Sequence, residues 1–142
     1  MSLFNIEKNI VKKISYFKSW NEKYKYIINM GKNLPKMDKK FRTKEKLVQN
    51  CQSPIWLDAY LKNKKIFFIG DCDAIIPRGI ISLMIYIYSN NYPNEIIKSK
   101  TFFIKKIGFK NFLSPSRSNG IIAILKKIKI YAFIFLIKYN LR

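Results

Sequence analysis

The chain contains no histidine. That absence removes Ser–His and Cys–His catalytic pairs and every zinc site that depends on imidazole. Cysteine occurs twice, at Cys51 and Cys72. Two are too few for a four-thiolate metal site or for an iron–sulfur cluster held by this chain alone, and they are not a CxxC pair. No metal site is expected. Nor do two cysteines make a secreted disulfide framework, so the thiols read as reduced and the protein as cytoplasmic. Five scattered glycines include no phosphate-cradling loop. Long apolar runs are also missing. The stretch Ile130–Ile137, IYAFIFLI, is only eight residues, where a bilayer span takes about 20; it reads as the end of a core-packed helix, with an interfacial membrane anchor as the alternative. Glu7, Lys8, Lys12 and Lys13 break up the N-terminus too often for a signal peptide.

What is abundant is lysine. The net charge is +20, carried by 24 lysines and 4 arginines against 8 acids. Isoleucine (25), lysine and asparagine (13) supply 62 of the 142 residues, and all three can be encoded with A and T alone. Base-composition drift therefore accounts for the bias without selection for a basic surface. Readers of nucleic acid lean on the bidentate fork of arginine, so no specific nucleic-acid partner is expected. A basic module binding RNA or an anionic membrane surface remains the alternative reading of the charge. The length and 49% apolar content suit one domain, residues 1–142, with a real core.

Apolar positions at Leu3, Ile6, Ile10, Ile14 and Phe17 predict a helix over 3–17. A second helix is expected near 20–31, capped by Ser19 or Asn21 and stopped by Gly31. Residues 32–46 read as loop with one helical turn. Alternation over Ile55–Leu61 puts Ile55, Leu57, Ala59 and Leu61 on one face and Trp56, Asp58 and Tyr60 on the other. A turn at 62–64 and a second strand over Lys65–Asp71 complete a hairpin. With the turn centred on Asn63, Cys72 falls opposite residues 53–55, which brings both cysteines to one end of the hairpin. A buried helix follows from Pro77 to about Ser89, then short helices from Pro93 and over Thr101–Ile107. A last helix, about 115–137, is capped by Ser114 or Ser116. The order indicates α+β: a small antiparallel sheet, the hairpin plus a third strand, packed against several helices.

Cys51 is the leading chemical candidate. It sits in Asn50-Cys51-Gln52-Ser53-Pro54, which is loop chemistry rather than core pattern. Nearby positive charge favours the thiolate, and without histidine the chemistry left to it is thiol exchange. Asp71 and Asp73, in GDCDA, are two of only eight acids. Two acids at i and i+2 are a weak case for hydrolysis and suit a polar strand end. Arg117, flanked by serines, suits either an anion or a salt bridge to Asp71 or Asp73.

Four segments resemble the SufE family: WNEKYKYIINMGKNLP (20–35), LVQNCQSPIWL (47–57), GDCDAIIPRGIISLM (70–84) and FLSPSRSNGI (112–121). The resemblance implies an α+β sulfur acceptor that partners a cysteine desulfurase. Cys51 would take persulfide sulfur from the desulfurase, stimulate it, and pass sulfur to an iron–sulfur scaffold complex. The pyridoxal phosphate belongs to the desulfurase, and no cofactor is expected in this chain. By the same resemblance Gln52, Ser53, Asp73 and Arg117 shape the cysteine loop or the docking surface; a homodimer is left open. Idle, the loop is expected to tuck into an apolar pocket formed by Trp56 and the helix after Pro77. The sequence departs from the family pattern at Asn50, Pro54, Cys72 and Pro77. Pro77 is expected to shorten its helix. Cys72 reads as a silent replacement, a disulfide partner of Cys51 or a second sulfur acceptor.

Overall fold

The computed structural model describes residues 2–49, 51, 53–101, 103–109 and 113–139. Helix α1 (Leu3–Tyr16) is capped by the Ser2 hydroxyl, which accepts from the Asn5 amide. Helix α2 (Trp20–Lys32) is capped by Ser19, which accepts from the Glu22 amide at 3.2 Å. Two 3-10 turns, Lys39–Phe41 and Lys44–Lys46, punctuate the next segment. Strands β1 (Ile55–Lys62) and β2 (Lys65–Cys72) form an antiparallel hairpin. Helices α3 (Ile75–Tyr88), α4 (Pro93–Lys98), α5 (Phe103–Ile107) and α6 (Pro115–Lys138) complete the chain. The class is α+β, as the element order indicated.

The hairpin turn is a two-residue loop with Asn63 at φ 53° and Lys64 at φ 66°, the doubly left-handed turn that matches strand twist. It fixes the register Lys62↔Lys65 through Ile55↔Cys72, within the expected 53–55 window. One face of the sheet, carrying Ile55, Leu57, Ile66, Phe68 and Cys72, is buried. Among the described residues the sheet has two strands. The expected third strand is reduced to single-residue bridges, Leu47↔Trp56 on one edge and Ile66↔Asn91 on the other.

Helix α3 lies between the sheet and α2, with Ile81, Leu83, Met84 and Ile87 fully buried. Its approach to α2 is set by glycine. A Cβ on Gly79 would stand 2.4 Å from the Ile27 carbonyl oxygen, and one on Gly31 would stand 2.8 Å from the Gly79 amide nitrogen. Pro77 does not shorten α3, which starts two residues earlier at Ile75. In the first turn an amide has no intrahelical acceptor, so proline costs nothing there.

Helix α6 packs on α4 and α3 and reaches β1, where the Tyr131 hydroxyl donates to the Leu57 carbonyl at 2.7 Å. Its fully buried residues end at Ala132. Ile130, Phe133, Ile134 and Ile137 are about half or more exposed, so the apolar tail is only partly packed, contrary to expectation. Among the described residues no helix is long and apolar enough to cross a membrane.

Candidate functional site

The open end of the hairpin, opposite its turn, organises the site. The Val48 amide donates to the Ile55 carbonyl at 2.8 Å, and Leu47 bridges Trp56. These contacts pinch the chain on both sides of Cys51. Lys127 on α6 braces the upstream side, donating to the Glu45 and Leu47 carbonyls at 2.9 and 3.1 Å.

Cys51 is half-buried in the wall of a cavity of about 320 Å³. Ser53, Ile55, Pro77, Ile80 and the first turns of α6 (Ser116, Arg117, Gly120, Ile121, Ile124) form the rest of the lining. The Ser114 hydroxyl starts α6 by accepting from the Arg117 amide at 3.3 Å, and this cap carries Arg117 into the cavity wall. A methyl on Gly120 would just reach the Cys51 sulfur, at 3.8 Å; anything larger would enter the cavity. Burial pushes the Cys51 thiol above its ordinary value of 9.0, and nearby Cys72 adds a smaller push. The expected stabilisation of thiolate by positive charge is therefore overridden in this tucked position, because desolvation acts at the sulfur itself while surface lysines act through water.

Arg117 does not pair with Asp71 or Asp73. Its Nη1 is buried with no hydrogen-bond partner among the described residues. Asp71 is instead held by Arg42 and Arg78. Its Oδ2 accepts from Arg42 Nη2 at 2.7 Å and from the Met37 amide at 2.8 Å; its Oδ1 accepts from Arg78 Nη1 and from the Cys72 amide. Arg78 also donates from Nε to the Gly31 carbonyl at 2.8 Å and from Nη2 to the Leu34 carbonyl. One buried carboxylate thus joins the end of α2, the end of β2 and the start of α3. Burial pushes the Asp71 carboxyl up, but the Met37 amide, Arg42, the Cys72 amide and Arg78 outweigh it and hold it below its ordinary 3.8. Asp73 is largely exposed and pairs with Arg42 at 3.0 Å.

Trp56 is not part of the cavity. It pairs with Asp71 on the other face of the hairpin, where the Arg42 guanidinium lies 4.5 Å from its ring centroid. The α3 residues Pro77 and Ile80 do line the cavity, with α6 in the place expected of Trp56. Gln52 and Asn50 lie outside the described residues. Arg42, Arg78 and Gly120 were missed from sequence. One signal was available for the first two. Arginine is rare here, and all three described arginines gather at this end of the hairpin while lysine spreads everywhere. Among the described residues no group of three or more Cys, Asp or Glu side chains gathers as a metal would need.

The family model described as SufE, Fe-S metabolism associated domain, matches residues 8–132. The cysteine desulfuration protein SufE of Wigglesworthia glossinidia brevipalpis is 36% identical, with 97% of each chain covered. An uncharacterised SufE-like protein of Rhizobium meliloti is 34% identical over 84% of this chain and 89% of its own. In fold, the solution structure of a hypothetical protein from Thermus thermophilus superposes with a TM-score of 0.77, covering 92% of this chain and 96% of that one at 15% identity. The chain belongs to the SufE family, a family of Fe-S metabolism.

Proposed function

We propose that this protein accepts sulfur from a pyridoxal-phosphate cysteine desulfurase on Cys51 and delivers it to an iron–sulfur assembly scaffold. The observation that carries the reading is the placement of Cys51, a free, half-buried thiol in the wall of a small cavity that Arg117 also lines. In the acceptance step the Cys51 thiolate attacks the outer sulfur of the desulfurase persulfide. A new S–S bond forms on Cys51, the partner's S–S bond breaks, and the partner's cysteine leaves as thiolate. No base from this chain is required, which suits a protein without histidine.

The tucked arrangement is the resting one. Burial disfavours the thiolate, so the nucleophile is suppressed until the cysteine leaves the cavity. Contacts that a docked desulfurase makes only with the opened form would supply the shift. Once loaded, the persulfide withdraws from bulk reductant. Arg117, whose Nη1 has no hydrogen-bond partner among the described residues, lines the same wall and supplies positive charge beside it. Ser53, lining the cavity, and Asp73, fixed by Arg42, set the loop and its rim.

The test is intact-protein mass spectrometry after mixing with a desulfurase and free cysteine. The native chain gains one or more sulfur masses, lost on reduction, and Cys51→Ser gains none. A folded native chain that gains no sulfur from a cognate desulfurase overturns the reading.

A further inference from the structure

A second thiol lies at the same end of the hairpin and has no part in the transfer just described. Cys72 is the Cα partner of Ile55, and Ile55 shares the cavity wall with Cys51. Cys72 is 1% exposed and belongs to the core cluster against which Cys51 packs. Neither cysteine is in a disulfide. Cys72 is not in the cavity lining but lies behind it, close enough for its charge to act on the Cys51 sulfur, and among the described residues it is the second thiol placed to meet a persulfide that stays tucked in.

We propose that Cys72 discharges an undelivered persulfide: it attacks the Cys51 sulfur, expels the outer sulfur as hydrosulfide and leaves a Cys51–Cys72 disulfide. The proposal rests on Cys51 being the persulfide carrier. One S–S bond breaks and one forms. The outer sulfur leaves with the bonding pair and is reduced to sulfide; the Cys72 sulfur is oxidised as it enters the new disulfide; its proton goes to the hydrosulfide. No external oxidant enters. The product cannot accept sulfur again until a dithiol reductant reopens it, so an idle carrier switches itself off.

The environment makes this discharge slow, as a safeguard should be. Burial pushes the Cys72 thiol above its ordinary 9.0, and the charges of Asp73 and Asp71 add to that against the opposing Ala74 amide and Arg78. Only a small fraction is thiolate at neutral pH, and exchange rates follow the thiolate fraction. A docked partner that draws Cys51 out of the cavity also separates it from Cys72, so delivery wins whenever a partner is present.

The experiment loads the reduced full-length chain with sodium tetrasulfide, removes the excess by gel filtration, and follows intact mass, released sulfide and cysteine-linked peptides with time. The expected result for the native chain is a one-sulfur adduct on Cys51 that decays to a species two hydrogens lighter than the reduced protein. One sulfide is released per chain, and a Cys51–Cys72 peptide appears. Cys72→Ser and Cys72→Ala hold the adduct at least about tenfold longer. If the native adduct lasts as long as that of the variants, without a Cys51–Cys72 peptide, discharge by Cys72 is overturned and the carrier reading stands. If Cys51 in the folded native chain takes up no sulfur and forms no disulfide, both are overturned. The native-chain peptide map decides even where a variant folds poorly.

Discussion

At the scale of single residues, the balance between burial and charge decides reactivity. Cys51 sits in a strongly basic protein and still has its thiol pushed up, because desolvation dominates. Alkylation of Cys51 by iodoacetamide should therefore be slower at neutral pH than that of a free thiol and should climb until the pH passes the ordinary 9.0. Adding a cognate desulfurase should accelerate it at constant pH. Asp71 illustrates the opposite balance, a buried carboxylate kept charged by two guanidiniums and two amides. Arg78→Ala removes one of those partners and strands the carbonyls of Gly31 and Leu34. It should cost about 3–5 kcal/mol in urea unfolding. Cys51 was legible from its loop context and rarity, and Gln52, Ser53, Asp73 and Arg117 came with the family resemblance, while Asp71 read only as a polar strand end. Arg42 and Arg78 escaped. Arg42 lies 29 residues from its carboxylate, and nothing local announces a pairing across that span. The misplacement of Trp56 was avoidable: the alternation that put Ile55 inward already put Trp56 outward.

Among elements, the hairpin was the most legible. Its register followed from alternation and one asparagine, because a two-residue turn leaves no slack. That turn also holds a penalty. Lys64 sits at φ 66°, a region that costs an L side chain about 1–2 kcal/mol. Lys64→Gly should raise stability by roughly 0.5–1 kcal/mol, part of the gain being offset by the freer unfolded chain. A higher urea midpoint at unchanged slope would show it. Helix starts were legible where a serine hydroxyl caps them, at Ser19 and Ser114. The start of α3 was not, because Ala74 precedes it without a side-chain cap and Pro77 was the only punctuation in view. The third strand was overcalled: the segments flanking the hairpin touch it at one residue each, since 3-10 turns upstream and α4 downstream divert the chain.

For the whole molecule, two buried carboxyls act in opposite senses with pH. Asp71 is held below its ordinary 3.8; its contribution to stability is present above that value and fades as the pH falls through its lower folded value. Glu7, 2% exposed, is pushed above 4.5 by burial, against the Ser99 hydroxyl that donates to it at 2.8 Å and the charge of Lys129. Its contribution is present below 4.5 and is lost as the pH rises through its higher folded value. Thermal midpoints followed against pH should therefore decline on both sides of a mildly acidic optimum. Glu7→Gln should flatten the decline on the alkaline side and leave the acid side unchanged. The neck around Cys51 bears on how the protein works across temperatures. Val48 and Ile55 clasp each other and Lys127 ties the upstream side to α6; on the proposed function, Cys51 would leave the cavity while both anchors stay in place. Confined between those anchors, such a swing would uncover far less apolar surface than unfolding does, and the heat capacity of a transition scales with the apolar surface it uncovers. On the proposed function, release of Cys51 would therefore be a motion of small heat-capacity change, so its enthalpy should stay nearly constant and its van't Hoff plot straight over a range where the stability of the whole fold curves.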